Sequence, residues 1–304
     1  MPSLARAPGK VALGSIAGIG VNRPGPDTPL AKRLTGTDVS GVSYRVQAQH
    51  GVTTASLAAG AARAALQAGG KDPAELEMIV VATTSPDVLW PSTACLVQTE
   101  LGLPMVAAFD LYAAQTSLLS ALDVAAHYLT AGARSILLIG AESDNQLVDL
   151  AGQSSSHLAR AAAAALLTPA AGSGGLLSTV SGGAAVNSDA QQQGAVKGLV
   201  QGVDKCLAKA QLRIDDIALV IGDSSAPEIM RGWSEEAQLS HDRLLLDPAR
   251  YGGLLAAAPL VALYDAAQSG RLGDGMNFLM LESGAGPSWA AACFRWSKTA
   301  VAAC

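Results

Sequence analysis

Aromatic side chains are scarce in this sequence: Phe, Trp and Tyr together make up 4% of its 304 residues. The core must therefore be built from Ala, Val, Leu and Ile, with close backbone approaches at Ala and Gly. Charge is thin as well. Asp, Glu, Lys and Arg account for 15%, and the net charge is -5. No run of Lys and Arg is present, so the clustered positive charge that neutralises a nucleic-acid backbone is missing and no nucleic-acid partner is expected. No apolar run has the length of a bilayer span, Ala161 to Leu167 being far too short, and no membrane partner is expected. Met1 to Lys10 carries no apolar h-region, so no secretory signal is expected. Four cysteines, Cys95, Cys206, Cys293 and Cys304, show neither metal-ligand spacing nor a CxxC pair. The expectation is a cytoplasmic protein with reduced thiols, no metal and no cofactor.

Half of the residues are hydrophobic, enough for a sizeable core. Their order repeats. Glu77 to Ser85 reads EMIVVATTS and Ile217 to Ser225 reads IALVIGDSS. Each is an apolar β-branched run ending in small hydroxyl residues, which suits a buried strand leading into a loop. Ser135 to Ser143, SILLIGAES, is matched by Asn277 to Gly284, NFLMLESG, and each follows an alanine-rich helical stretch closed by glycine. Glu142 and Glu282 lie 140 residues apart, as do Ser85 and Ser225, while Asp110 and Asp247 lie 137 apart. Three landmarks at nearly one offset point to a duplicated unit rather than a chance likeness between generic strand-helix units. Alternating strands and helices imply an α/β protein with helices covering the sheets. The division falls at the Gly/Ser-rich stretch Ala170 to Gly183, giving halves 1–170 and 171–304. Asn187 to Gly194, with three glutamines, reads as a loop entering a helix over Ala195 to Ala210.

The stretches VVATTSPDVLWPSTACLVQTELGL and AAFDLYAAQTSLLSALDVAAHYLTAGARSILLIGAES, with the closing LESGAGPSWAAACFRW, resemble ketoacyl-ACP synthase III of the thiolase superfamily. The resemblance runs from about Val11 to Trp296 and is weakest over Ser154 to Lys197. It implies a thiolase-like fold, two βαβαβ-type halves in a layered α/β/α/β/α core. It also implies acyltransferase chemistry in a fatty-acid or polyketide-type pathway, with an acyl carrier protein or acyl-CoA as partner. In that family a cysteine at the head of a buried helix, just after an FD strand, is the nucleophile. Backbone N–H groups polarise the thioester carbonyl. A histidine and an asparagine stabilise the carbanion left by decarboxylation of malonyl-ACP.

Aligning Phe109-Asp110 with the family's FD places Gln115 at the cysteine. Glutamine has no nucleophilic atom, and the nearest hydroxyls are Thr116 and Ser117, the latter a possible substitute nucleophile without an obvious base. The family's PHQAN aligns with Gly222-Asp223-Ser224-Ser225-Ala226, so Asp223 replaces the histidine. An ionised aspartate would oppose a developing enolate. A protonated one could donate a hydrogen bond; the simpler reading is a cap on a helix over Pro227 to Leu239. The family's YGN aligns with Tyr251-Gly252-Gly253, which puts Gly253 at the asparagine. All three positions of the triad are changed.

Other departures accompany these. The family's glycine-rich GDGAGA falls near His157 to Ala162 and is alanine-rich here. Thr35 and Val39 stand where some members hold CoA with aromatic and basic residues, and Arg45 is kept. Glu228, Glu235 and Glu236 reverse the charge of the helix expected to meet a carrier protein, either repelling it or forming a solvated face. His50, His127, His157 and His241 fall on no family catalytic position. Trp90, Trp233, Trp289 and Trp296 read as packing residues, and Tyr112 and Leu118 as residues that could fill the pocket below Gln115. The segment from Trp90 to Leu103 belongs, by the resemblance, to a dimer interface. Three functions follow: a non-condensing partner subunit in a heterodimer with an active ketosynthase, an acyltransferase or decarboxylating enzyme with non-standard residues, or a binding protein for acyl thioesters as a homodimer.

Overall fold

The computed structural model describes residues 14–22, 52–143, 160–170, 174–183, 191–284, 288–297 and 300–303. The strands are β1 (Ser15–Asn22), β2 (Met78–Ala82), β3 (Ala107–Leu111), β4 (Ile136–Glu142), β5 (Ala161–Thr168), β6 (Gly175–Gly183), β7 (Ile217–Ile221), β8 (Leu244–Leu245), β9 (Asn277–Ser283), β10 (Ser288–Arg295) and β11 (Ala300–Ala303). They form a six-stranded sheet in the order β11-β1-β5-β4-β2-β3 and a five-stranded sheet in the order β6-β10-β9-β7-β8. Strands β1, β5, β4, β2 and β3 correspond one by one to β6, β10, β9, β7 and β8, with the same parallel and antiparallel pairings. The repeat read from the sequence is thus a repeat of topology, and β11 is an addition beside β1.

The helices are α1 (Thr54–Ala68), α2 (Thr93–Glu100), α3 (Ser117–Thr130), α4 (Gln191–Ala210), α5 (Pro227–Glu236), α6 (Pro248–Tyr251) and α7 (Ala258–Gln268). Strand period decides the layers. Along β4, Ile136 and Leu138 join a central core with α3 and α7, while Leu137 and Ile139 join an outer core with α1 and α2. In the second sheet, Leu219 and Ile221 face the centre, whereas Leu279 and Leu281 meet α4 and α5. Both sheets are covered on both faces, which is why their middle strands are continuously apolar. The result is the five-layer α/β/α/β/α arrangement.

Scarcity of large side chains shows at α1, which lies almost backbone-to-backbone on β1. A Cβ added at Gly20 would meet Ala61 O at 2.2 Å and Ala65 N at 2.3 Å. Neither atom can swing aside, so Gly20→Ala is expected to cost about 3 kcal/mol, read from the denaturant midpoint.

Three local expectations change. The helix after the glutamine run starts at Gln191, not Ala195. The helix after Asp223 ends at Glu236, because Gln238 takes φ 51° and turns the chain away. Trp233, Trp289 and Trp296 are buried, but Trp90 is 87% exposed. Among the described residues no helix is long and apolar enough to cross a membrane.

Candidate functional site

The chain leaves β3 at Leu111 and makes a tight turn before α3. Ala114 sits at φ 49°, in left-handed space that a Cβ disfavours, so α3 begins only at Ser117. Gln115, half-buried, occupies this turn at the helix head. Both nearby hydroxyls are taken up locally. Ser117 Oγ donates to Ala114 O at 2.5 Å and accepts from Ala113 N at 2.8 Å. Thr116 Oγ1 donates to Ala113 O at 2.8 Å. They hold the turn together, and neither touches a general base. Tyr112 is exposed rather than filling a pocket, while Leu118 is buried in the central core.

The end of β9 closes on this turn. Glu282 is buried, and its Oε2 accepts from Leu119 N of α3 at 2.9 Å, so a carboxyl group sits on the helix N-terminus. Its other oxygen has no hydrogen-bond partner. Two residues on, a Cβ at Gly284 would lie 3.5 Å from Thr116 Cγ2. Asp223 ends the loop after β7 and joins the same region. It accepts from Ser225 N at 2.9 Å, Ser225 Oγ at 2.5 Å and Ser283 N at 3.0 Å. The N-cap position of α5 is Ala226, so Asp223 is not a simple helix cap. Its carboxylate folds the loop on itself and ties it to β9. The bond to Ser283 is a contact 60 residues away in sequence, which local pattern does not reveal.

Burial pushes the Asp223 carboxyl above its ordinary range against the pull of these donors. Glu282 is pushed well above its own, by burial first and then by the charge of Asp223. The positions of Gln115, Asp223 and Glu282 therefore converge. Gly253 lies in a 3-10 turn, Gly252–Ala257, that also touches α3.

A third buried carboxyl mirrors Glu282. Glu142 ends β4 and accepts from Thr84 N at 3.0 Å, Thr84 Oγ1 at 2.9 Å and Ser85 Oγ at 2.6 Å. It also reaches Ala256 N in the Gly252–Ala257 turn at 3.4 Å. Each central strand thus ends in a glutamate that crosses to the other half. Both were visible in the sequence as repeat landmarks, and the signal missed was an acid closing a wholly apolar strand.

The remaining candidates lie elsewhere. His127 is exposed on α3 beside Asp123, and His241 is exposed before β8. His50, His157, Thr35, Val39 and Arg45 fall outside the described residues. Glu228, Glu235 and Glu236 are exposed on α5 and, with Lys197, border an open groove of about 910 Å³. Glu228 is paired with Arg231 at 3.0 Å. No metal-binding group of three or more His, Cys, Asp or Glu occurs among the described residues.

The family model 3-oxoacyl-[acyl-carrier-protein (ACP)] synthase III matches residues 109–185, and its C-terminal counterpart matches residues 207–296. The chain is 30% identical over 261 residues to the beta-ketoacyl-[acyl-carrier-protein] synthase III of Aquifex aeolicus, covering 80% of this chain and 84% of that one. It is 32% identical over 285 residues to the enzyme of the same name from Rhodospirillum centenum, covering 84% and 88%. The chain belongs to the synthase III family. The crystal structure of the Aquifex aeolicus synthase III superposes with a TM-score of 0.80 at 26% identity, covering 93% of this chain and all of that one. A priming beta-ketosynthase from the R1128 polyketide pathway, at 22% identity and a TM-score of 0.78, shares the fold. The five-layer core is thus the thiolase-like fold of the synthase III family.

The buried carboxyls give this family member a definite pH response. Glu142 is raised from 4.5 to about 7, chiefly by burial. A carboxyl raised in the folded state binds its proton more tightly folded than unfolded. Its contribution is full below the unfolded value and is lost as pH rises through the folded one. For Glu142 that window is 4.5 to about 7, and at roughly 1.4 kcal/mol per unit it amounts to about 3 kcal/mol. Asp223 and Glu282 act in the same direction. Denaturant unfolding is expected to show a higher midpoint at pH 5 than at pH 8.

Proposed function

We propose that this chain is a non-condensing subunit that keeps the synthase III scaffold and assembles with an active ketosynthase of the same family. The observation that carries this reading is the turn at the head of α3. Gln115 stands where the resemblance places the nucleophile, and the hydroxyls of Thr116 and Ser117 are tied to the turn's own backbone. The other two triad positions agree. Asp223 brings a buried carboxyl where a neutral donor or imidazole is needed, and Gly253 brings no side chain at all.

A subunit role needs a surface for its partner. Val88, Leu89, Trp90, Met105 and Tyr112 are all exposed, Trp90 at 87% and Met105 at 89%. Three precede α2, one precedes β3 and one follows it, β3 being the edge of the six-stranded sheet. Large apolar side chains grouped beside an open sheet edge are an interaction surface. The acidic face of α5 supports the same reading, because like charge slows docking of an acidic carrier protein.

The test is native mass spectrometry of the chain expressed alone and together with a triad-bearing synthase III from the same organism. A one-to-one complex supports the subunit role. A homodimer that ignores the second synthase, with turnover of acyl-CoA or malonyl-ACP, rejects it.

A further inference from the structure

The Gly252–Ala257 turn is held in an uncomfortable shape. Leu255 takes φ 37° and ψ -114°, a combination that a residue with a branched side chain rarely adopts. What holds it is β4. Gly140 lets the turn settle onto the strand, for a Cβ there would meet Ala256 O at 2.0 Å. On its N–H side the Ala256 peptide faces Glu142, at the long distance of 3.4 Å. Glu142 has three closer donors, all from Thr84 and Ser85 in the loop after β2. These stay with it if the turn moves.

We propose that the Gly252–Ala257 turn is a pH-sensitive latch, closed over neutral Glu142 and released when that carboxyl ionises. The balance follows from the contacts. Release gives up one long hydrogen bond and admits water to a buried carboxylate, and it frees Leu255 from left-handed space. Ionisation favours the hydrated state, since desolvation is the main opposition to the charged form. The donors around Glu142 oppose this without overcoming burial. Thr84, Ser85 and, behind them, Thr54 and Ser143 present hydroxyls and N–H groups. Asp87 is engaged with the N–H groups of Thr54 and Ala55. Beside the turn, Arg250 and Tyr251 both pair with Asp265. The turn bears Gly253 and touches α3, so its release changes the region around Gln115. This inference is independent of whether the chain is a subunit or an enzyme.

Hydrogen exchange read by mass spectrometry tests it. With a closed-state value of about 7, protection of the peptide over 251–257, corrected for intrinsic rate, is expected to fall about tenfold from pH 6 to pH 8. A peptide from α1 should keep its protection over that range. In Glu142→Gln the change at 251–257 should disappear. Equal protection at both pH values, an equal loss in α1, or a tenfold loss persisting in Glu142→Gln each overturns the proposal. If Glu142→Gln does not fold, the contrast between the two peptides of the unaltered protein decides.

Discussion

Gln115→Cys alone is expected to leave carbon-carbon bond formation from a malonyl thioester at least about 10⁴-fold below that of an active relative. A thiol at the head of α3 can be acylated. Condensation also needs donors for the carbanion and the thioester oxygen, and each lost donor is worth about 10² to 10³ in rate. On the proposed reading two positions fail together, Asp223 by offering a buried carboxyl and Gly253 by offering no side chain. The carboxyl of Glu282 already sits on the helix N-terminus through Leu119 N, so the thiolate would form beside a second acidic group. Radiolabelled malonyl thioester and product chromatography check the result. Condensation that grows as pH falls would identify protonated Asp223 as a working donor, and the site would then be an altered enzyme.

Trp90→Asp is expected to weaken subunit association by about 30- to 1000-fold, the loss of an aromatic anchor worth about 2 to 4 kcal/mol. The ring is 87% exposed, so the variant should unfold at the same denaturant concentration as the original when both are dissociated. Sedimentation or native mass spectrometry across a concentration series measures the first effect. Unchanged assembly would remove this surface from the account and shift attention to the groove beside α5.

Much of this architecture was legible because two signals coincide. Apolar strands ending in small hydroxyl residues recur at one offset, and Ile79 to Ser143 carries motifs in family order. What escaped the sequence was set by contacts distant in the chain or by single backbone angles. Ala114 at φ 49° sets the start of α3 at Ser117, an angle that no sequence pattern announces. Asp223 looked like a local cap, but one of its oxygens is fixed by Ser283 N on another strand. Trp90 looked like core because tryptophan so often is. Glu142 and Glu282 gave only their spacing and Asp223 only its alignment; the burial that raises their proton affinity, and the donors that oppose it from Thr84, Ser85, Ala256, Leu119 and Ser283, are brought together by the duplicated fold.

The proposed subunit keeps the scaffold of a synthase III without its covalent chemistry. The most direct measurement is intact-protein mass after incubation of the purified chain with an acyl-CoA, followed by peptide mapping. The expected result is an unmodified mass, with no acyl group on the peptide spanning Gln115 to Leu118. An adduct on Ser117 or Thr116 that turns over on addition of malonyl-ACP would contradict it.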